Sequence, residues 1–150
     1  MMKRQLLMVL IAVAFGLLTE IAVAPAAAAT CSGSGCNGLN PITTGCTTGA
    51  YVVGETDIYD TFSSDYIGSV QLWWSPTCET AWSYVHSYLD YRAFAVQATI
   101  TSTSPSNSYY QNNNYVYTAR SPMVYATDVS YTSACGRIED VGVSGIACSP

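Results

Sequence analysis

Four sets of side chains in this sequence have the chemistry to form a site. His86 is the only histidine, and so the only imidazole able to act as a general base near neutral pH. Such a base needs a nucleophile and an orienting acid. No Gly-x-Ser-x-Gly elbow accompanies it, although triad partners need not be sequence neighbours. A lone histidine in an aromatic stretch reads as a packed or surface residue, and no catalytic residue is assigned. Glu55, Asp57, Asp60 and Asp65 have the oxygen donors for calcium or a glycosidase acid–base pair. Their spacing is not that of the twelve-residue calcium loop, no glycine stands at its sixth position, and nothing selects a catalytic pair. A solvated loop explains them, so neither a metal site nor a cofactor is expected.

The third set is Cys31, Cys36, Cys46, Cys78, Cys135 and Cys148. Zinc would call for close Cys-x-x-Cys pairs or nearby histidines, whereas an even count in a small exported chain reads as a disulfide framework. Six cysteines allow about fifteen pairings. Proximity favours Cys135 with Cys148, a bridge worth roughly 3 kcal/mol in the chain-entropy model, and leaves the other four to pair among themselves. The fourth set is aromatic: twelve tyrosines and three tryptophans, an excess that warrants a binding hypothesis. Trp73 beside Gln71 is a ring next to an amide, a combination suited to a sugar or peptide. Tyr109, Tyr110, Tyr115 and Tyr117 border an asparagine-rich segment. The competing reading is that a second layer buries these rings, as sandwich cores do.

The stretch that must position the tryptophans runs from Gly68 to Trp82. Val70, Leu72 and Trp74 alternate with Ser69, Gln71 and Trp73, as in an extended strand with one face turned inward. Ser75-Pro76 interrupts the ladder, Cys78 anchors the turn, and Trp82 follows. On this apolar pattern Trp74 and Trp82 are expected in the core, and Trp73 on the other face.

At the N-terminus, Lys3 and Arg4 precede an apolar run from Leu6 to Leu18 and a small-residue tail, Ala26 to Ala29. This is the layout of a secretory signal peptide, expected over residues 1–29. Residues 30–150 then form a single secreted, disulfide-stabilised domain. That portion has no lysine and keeps three arginines against nine carboxylates, a net charge of −6. Three scattered cations cannot replace the counterions of a nucleic acid, and adhesion to an anionic bilayer is disfavoured for the same reason. Neither nucleic acid nor, after cleavage, membrane is expected as a partner.

Residues 30–49, rich in Gly, Ser, Thr, Asn and Cys, read as a coreless loop held down by three cysteines. Residues 54–64 read as an exposed acidic connection. A strand is expected over 69–74 and another over 92–102. Residues 80–91 fit either period, with their aromatic and β-branched content favouring a strand. Residues 102–114 read as a polar loop broken at Pro105. Short strands are expected at 115–118, 123–127 and 129–133, and a glycine-punctuated pair over 136–148. Many short strands without a strong helix predict an all-β fold, a small disulfide-braced antiparallel sandwich or barrel.

Three blocks of the chain resemble a domain-of-unknown-function family of small exported proteins, mainly of actinomycetes with some from bacilli. The first is Cys31, then Cys36-Asn37-Gly38-Leu39-Asn40-Pro41, then Gly45-Cys46. The second is Gly68-Ser69-Val70-Gln71-Leu72-Trp73-Trp74-Ser75-Pro76-Thr77-Cys78-Glu79-Thr80-Ala81-Trp82. The third is Pro122-Met123-Val124 with Ala134-Cys135-Gly136 and Cys148. The chain departs from the family pattern where charge is expected: Asn40 for Asp, Gln71 for Glu, Trp73 for Arg, Ser83 for Ala and Tyr84 for Arg. The resemblance implies export from a Gram-positive cell and no particular activity.

Together these readings describe an extracellular or cell-envelope binding or structural domain rather than an enzyme. Cell-wall glycan or an extracellular protein would be its partner, with Trp73 and Gln71 as ligand contacts. A small secreted hydrolase using His86 or a loop carboxylate, or a protease inhibitor, is the alternative.

Overall fold

The computed structural model describes residues 28–150; the expected signal peptide lies almost wholly outside them. Two 3-10 turns, Gly33–Cys36 and Val129–Tyr131, accompany nine strands: β1 (Tyr51–Tyr59), β2 (Tyr66–Ser75), β3 (Thr80–Ser87), β4 (Ala93–Thr103), β5 (Ser106–Val116), β6 (Thr118–Arg120), β7 (Val124–Tyr125), β8 (Thr132–Asp140) and β9 (Val143–Ser149). They form two antiparallel sheets. One runs β1-β2-β3-β6, with β7 also paired to β3, and the other runs β5-β4-β8-β9. The fold is the expected all-β, disulfide-braced sandwich. Among the described residues no helix is long and apolar enough to cross a membrane.

The period-2 alternation of the strands builds the layer between the sheets. Val70 and Leu72 of β2, Ala81 and Val85 of β3, Val96, Ala98 and Ile100 of β4, and Ala134 and Ile138 of β8 are buried in one cluster. The sheets come close enough that glycine is required at the start of the second sequence block. A Cβ on Gly68 would run into the His86 carbonyl and the Ile138 methyl. The buried Ser83 is paired through both its groups, as burial demands: Ser83 Oγ donates to the Cys135 carbonyl at 3.2 Å, and Ser83 N–H donates to Ser121 Oγ at 2.9 Å.

Four expectations are corrected. Residues 54–59 belong to β1 rather than to an exposed connection: Thr56 and Ile58 turn inward while Glu55, Asp57 and Tyr59 turn out. The acidic side chains had hidden a regular period of two. Residues 106–114 are not a loop either; β5 pairs with β4 from Thr103↔Ser106 to Ala93↔Val116. An edge strand with one wet face tolerates Ser and Asn, and ten paired residues outweigh their weak β preference. Residues 129–131, expected as strand, form a 3-10 turn, with the Asp128 carboxylate accepting from Ser130 N–H at 2.8 Å.

The fourth correction concerns residues 30–49, which do make a core. Cys36, Cys46, Cys78, Trp82 and Met123 form a second buried cluster, with Cys31, Ala29, Ala50 and Trp73 against it. The bridges are Cys31–Cys36, Cys46–Cys78 and Cys135–Cys148. The last joins directly opposed residues of β8 and β9, as proximity suggested. The N-terminal segment is stitched to the sheet by its backbone. Gly33 N–H donates to the Cys78 carbonyl at 2.8 Å, Gly38 N–H to the Met123 carbonyl at 2.9 Å, and Met123 N–H to the Leu39 carbonyl at 2.8 Å. Sulfur and one indole thus supply apolar volume that composition had not credited to this segment.

Asp60 closes the β1–β2 connection. It is buried, and its carboxylate accepts from Phe62 N–H, Ser63 N–H, Ser63 Oγ–H and, across the sandwich, Ser144 N–H. The Ser144 bond first, then the Ser63 bonds, hold its carboxyl down to about 2 from the ordinary 3.8. A depressed carboxyl contributes stability that is fully present above its unfolded value and is lost as pH falls through the folded one. Urea midpoints should therefore fall between pH 4 and pH 2. Asp60→Asn should lower the midpoint at pH 6, because its NH₂ group opposes a donor, and should flatten the acid limb. An unchanged acid limb in that variant would rule Asp60 out as the group responsible.

Candidate functional site

The outer face of the five-stranded sheet carries the candidate site, and strand register assembles it. Trp73 lies opposite Trp82 and Gln71 opposite Tyr84, and Tyr84 lies opposite Arg120. Directly paired residues share a face, so Trp73, Gln71, Trp82, Tyr84 and Arg120 are neighbours on the side away from the main core. Trp82 is in the core as expected, but in the disulfide-side cluster and on the face of Trp73 rather than that of Trp74. Trp74 is paired with Ala81 and packs on the main core, whereas Trp82 belongs to the disulfide-side cluster with Trp73 against it.

The two indoles on this face are stacked, with centroids 6.0 Å apart and planes 9° from parallel. Trp82 is fully buried and Trp73 half-buried. Trp73 Nε1–H donates to Gln71 Oε1 at 3.0 Å, which fixes the ring's orientation. Trp73 is thus neither a free ring nor a covered one: Trp82 supports one side, and part of the rest faces a recess. This recess of about 270 Å³ is lined by Thr47, Trp73, Trp82 and Arg120. Beside it lies a polar groove of about 360 Å³ lined by Asn40, Tyr84, Gln111, Asn113, Thr118, Ala119 and Arg120. Arg120 lines both. Its guanidinium carbon stands 4.9 Å from the Tyr84 ring centroid, in cation–π range.

Each wall of the groove comes from a different element. Asn40 is on the segment whose Cys46 is bridged to Cys78. Its Oδ1 accepts Ile42 N–H at 2.8 Å, an Asx turn that shapes the rim. Gln111 and Asn113 project from β5, where Gln111 Nε2–H donates to Asn113 Oδ1 at 2.9 Å.

The other sequence candidates lie elsewhere. His86 shares the outer face but sits opposite Ser69 and Thr118, its ring 4.5 Å from that of Tyr88. Among the described residues no hydroxyl or carboxylate hydrogen-bonds it. The four carboxylates do not converge. Glu55 and Asp57 face outward from β1, Asp60 is tied up in its turn, and Asp65 is on the connection. Tyr66 stands near Tyr59 and Tyr88, its phenol pushed up to about 12 by partial burial, then by Tyr88 and the charges of Asp57 and Glu55. Of the β5 tyrosines, Tyr109 packs on the main core and Tyr110 is exposed; Tyr115 and Tyr117 lie near its end.

The only group of metal-capable side chains among the described residues is Cys31, Cys36, Cys46 and Cys78, whose sulfurs lie within 4.8 Å of one another. Paired as two disulfides, they offer no thiolate to an ion. Sequence reasoning missed Arg120, Tyr84, Asn40, Gln111 and Asn113 as site residues. The one usable signal was the rarity of arginine after residue 29.

No curated protein and no solved structure matches the chain. Residues 34–135, which take in most of the bridged N-terminal segment, the tryptophan pair and the groove, match the family described as Protein of unknown function (DUF2690), and the chain belongs to that family.

Proposed function

We propose that this is an exported binding domain of the cell envelope or extracellular space that holds a glycan on the outer face of its five-stranded sheet. One observation carries the reading: a half-open indole, backed by a second indole and oriented by an amide, stands beside a polar groove walled by three further amides. A flat ring matches the apolar face of a pyranose, and amides match its hydroxyls in both hydrogen-bonding senses. The disulfide bracing, the basic-then-apolar N-terminus and the net charge suit export and life outside the cell. Four of the five positions where the chain departs from the pattern it resembles, Asn40, Gln71, Trp73 and Tyr84, lie on or beside this face.

Sedimentation of the oxidised domain with purified cell wall tests the reading. Retention should survive high salt and weaken about tenfold in Trp73→Ala, the loss expected for one stacking contact. Gln71→Ala should weaken it less, because it only loosens the ring. Absence of retention, or full retention by Trp73→Ala, would remove the proposal.

A further inference from the structure

We infer that the ligand carries a single negative charge, and that Arg120 is its anchor. This rests on the glycan-binding reading and adds the charge of the ligand to it.

Arg120 is a cation without a counter-charge. Among the described residues the one ion pair is Arg137–Glu139, on the opposite sheet. Arg120 Nε is buried and meets no hydrogen-bond acceptor, a rare condition for a buried N–H donor. The Tyr84 ring covers part of the guanidinium plane and supplies no oxygen. The planar fork of an arginine matches a carboxylate or a phosphate oxygen pair. The groove beside it contains no carboxylate: its side chains are Asn40, Tyr84, Gln111, Asn113, Thr118 and Ala119 with Arg120 itself.

The charge count of the groove sets that of the ligand. One cation among neutral side chains balances one negative charge; a second would be desolvated without compensation. Long-range steering works against any anion here, since residues 30–150 carry a net charge of −6. Attraction must therefore be local, and its salt dependence shallow. The amides beside the guanidinium, and the Trp73 ring across it, place the charge on a saccharide rather than on a bare ion. Two sources share this chemistry: a sugar carboxylate and a sugar or polyol phosphodiester.

Titration calorimetry on the oxidised domain decides it with three probes of equal length: a neutral N-acetylglucosamine oligomer, the same oligomer ending in one uronic acid, and the same oligomer carrying one glycerol phosphodiester. One of the two anionic probes should bind at least about tenfold tighter than the neutral one, the gain expected from one charge-assisted contact. Which one does so names the source. Arg120→Gln should erase that preference, weakening the preferred anionic probe by about tenfold more than the neutral one, and Arg120→Lys should keep part of it. Should Arg120→Gln fail to fold, Gln111→Glu, at an exposed position, should abolish the preference by placing a carboxylate in the groove. Equal binding of neutral and anionic probes, or a preference that survives both variants, overturns the inference and leaves the glycan reading standing. If neither oligomers nor cell wall bind, both fall.

Discussion

Replacing Cys46 and Cys78 together by alanine should lower the unfolding free energy by about 4 kcal/mol, the largest loss expected of any bridge in this chain. The bond joins residues 32 apart, so its removal frees the longest loop in the unfolded ensemble. Removing Cys31 and Cys36, 5 apart, should cost about 2 kcal/mol on the same scale, and Cys135 with Cys148, 13 apart, about 3 kcal/mol. Packing widens the gap. Cys46 and Cys78 are both fully buried in the second cluster, so alanine also leaves a void. Cys148 is exposed, and Cys135 and Cys148 are held opposite each other by strand pairing in any case. Urea denaturation of the three double variants checks the order. If loss of Cys46–Cys78 exceeds loss of Cys135–Cys148 by no more than the roughly 1 kcal/mol that loop length accounts for, the second core contributes nothing beyond loop entropy.

The legible parts of the fold were those where side-chain period and solvent exposure agree. Val70, Leu72 and Trp74 alternate with polar or outward neighbours, and so do Val96, Ala98 and Ile100; both runs became strands within a few residues of the expected bounds. Reading failed where composition spoke against period. Glu55 and Asp57 made β1 look like a connection although Thr56 and Ile58 kept the beat of a strand. Ser106 to Asn114 looked like a loop because neither apolar face nor charge marks it. Only its pairing partner β4 defines it. The N-terminal segment misled differently: cysteine was counted as a crosslink and not as buried volume, yet Cys36, Cys46 and Cys78 are wholly inside.

For the candidate site, the sequence pointed to Trp73, which lines it, and to Gln71, which orients that ring, and offered no other ligand contact. Those two stand two residues apart on one strand, so local periodicity suffices to pair them. Arg120, Tyr84, Asn40, Gln111 and Asn113 come from four further segments of the chain. Their meeting depends on the β3–β6 register and on the turn of β5 toward β6, which no local pattern encodes. The same register explains why Trp82, buried as expected, lies in the second cluster rather than beside Trp74. Opposite an antiparallel partner, which face a residue takes is set by its pair, and that pair is Trp73 rather than Trp74.

Trp82→Ala should cost about 4 kcal/mol, the range for removing a fully buried indole, and Trp73→Ala markedly less. Trp82 is 1% exposed and packs among Cys36, Cys46, Cys78 and Met123; its loss opens a cavity that rigid disulfides cannot collapse to fill. Trp73 is half-buried, so its truncation gives up a stacking contact worth about 1 kcal/mol and part of a buried surface. Urea midpoints of the two single variants and of the double separate the roles. Non-additivity of about 1 kcal/mol would measure the stack itself. The comparison also bears on binding. If Trp73→Ala is as costly as Trp82→Ala, Trp73 is a core residue, and weakened cell-wall retention in that variant would report a damaged fold. If Trp82 alone is costly, Trp73 is supported from beneath and free above, which is the arrangement a sugar-stacking ring requires.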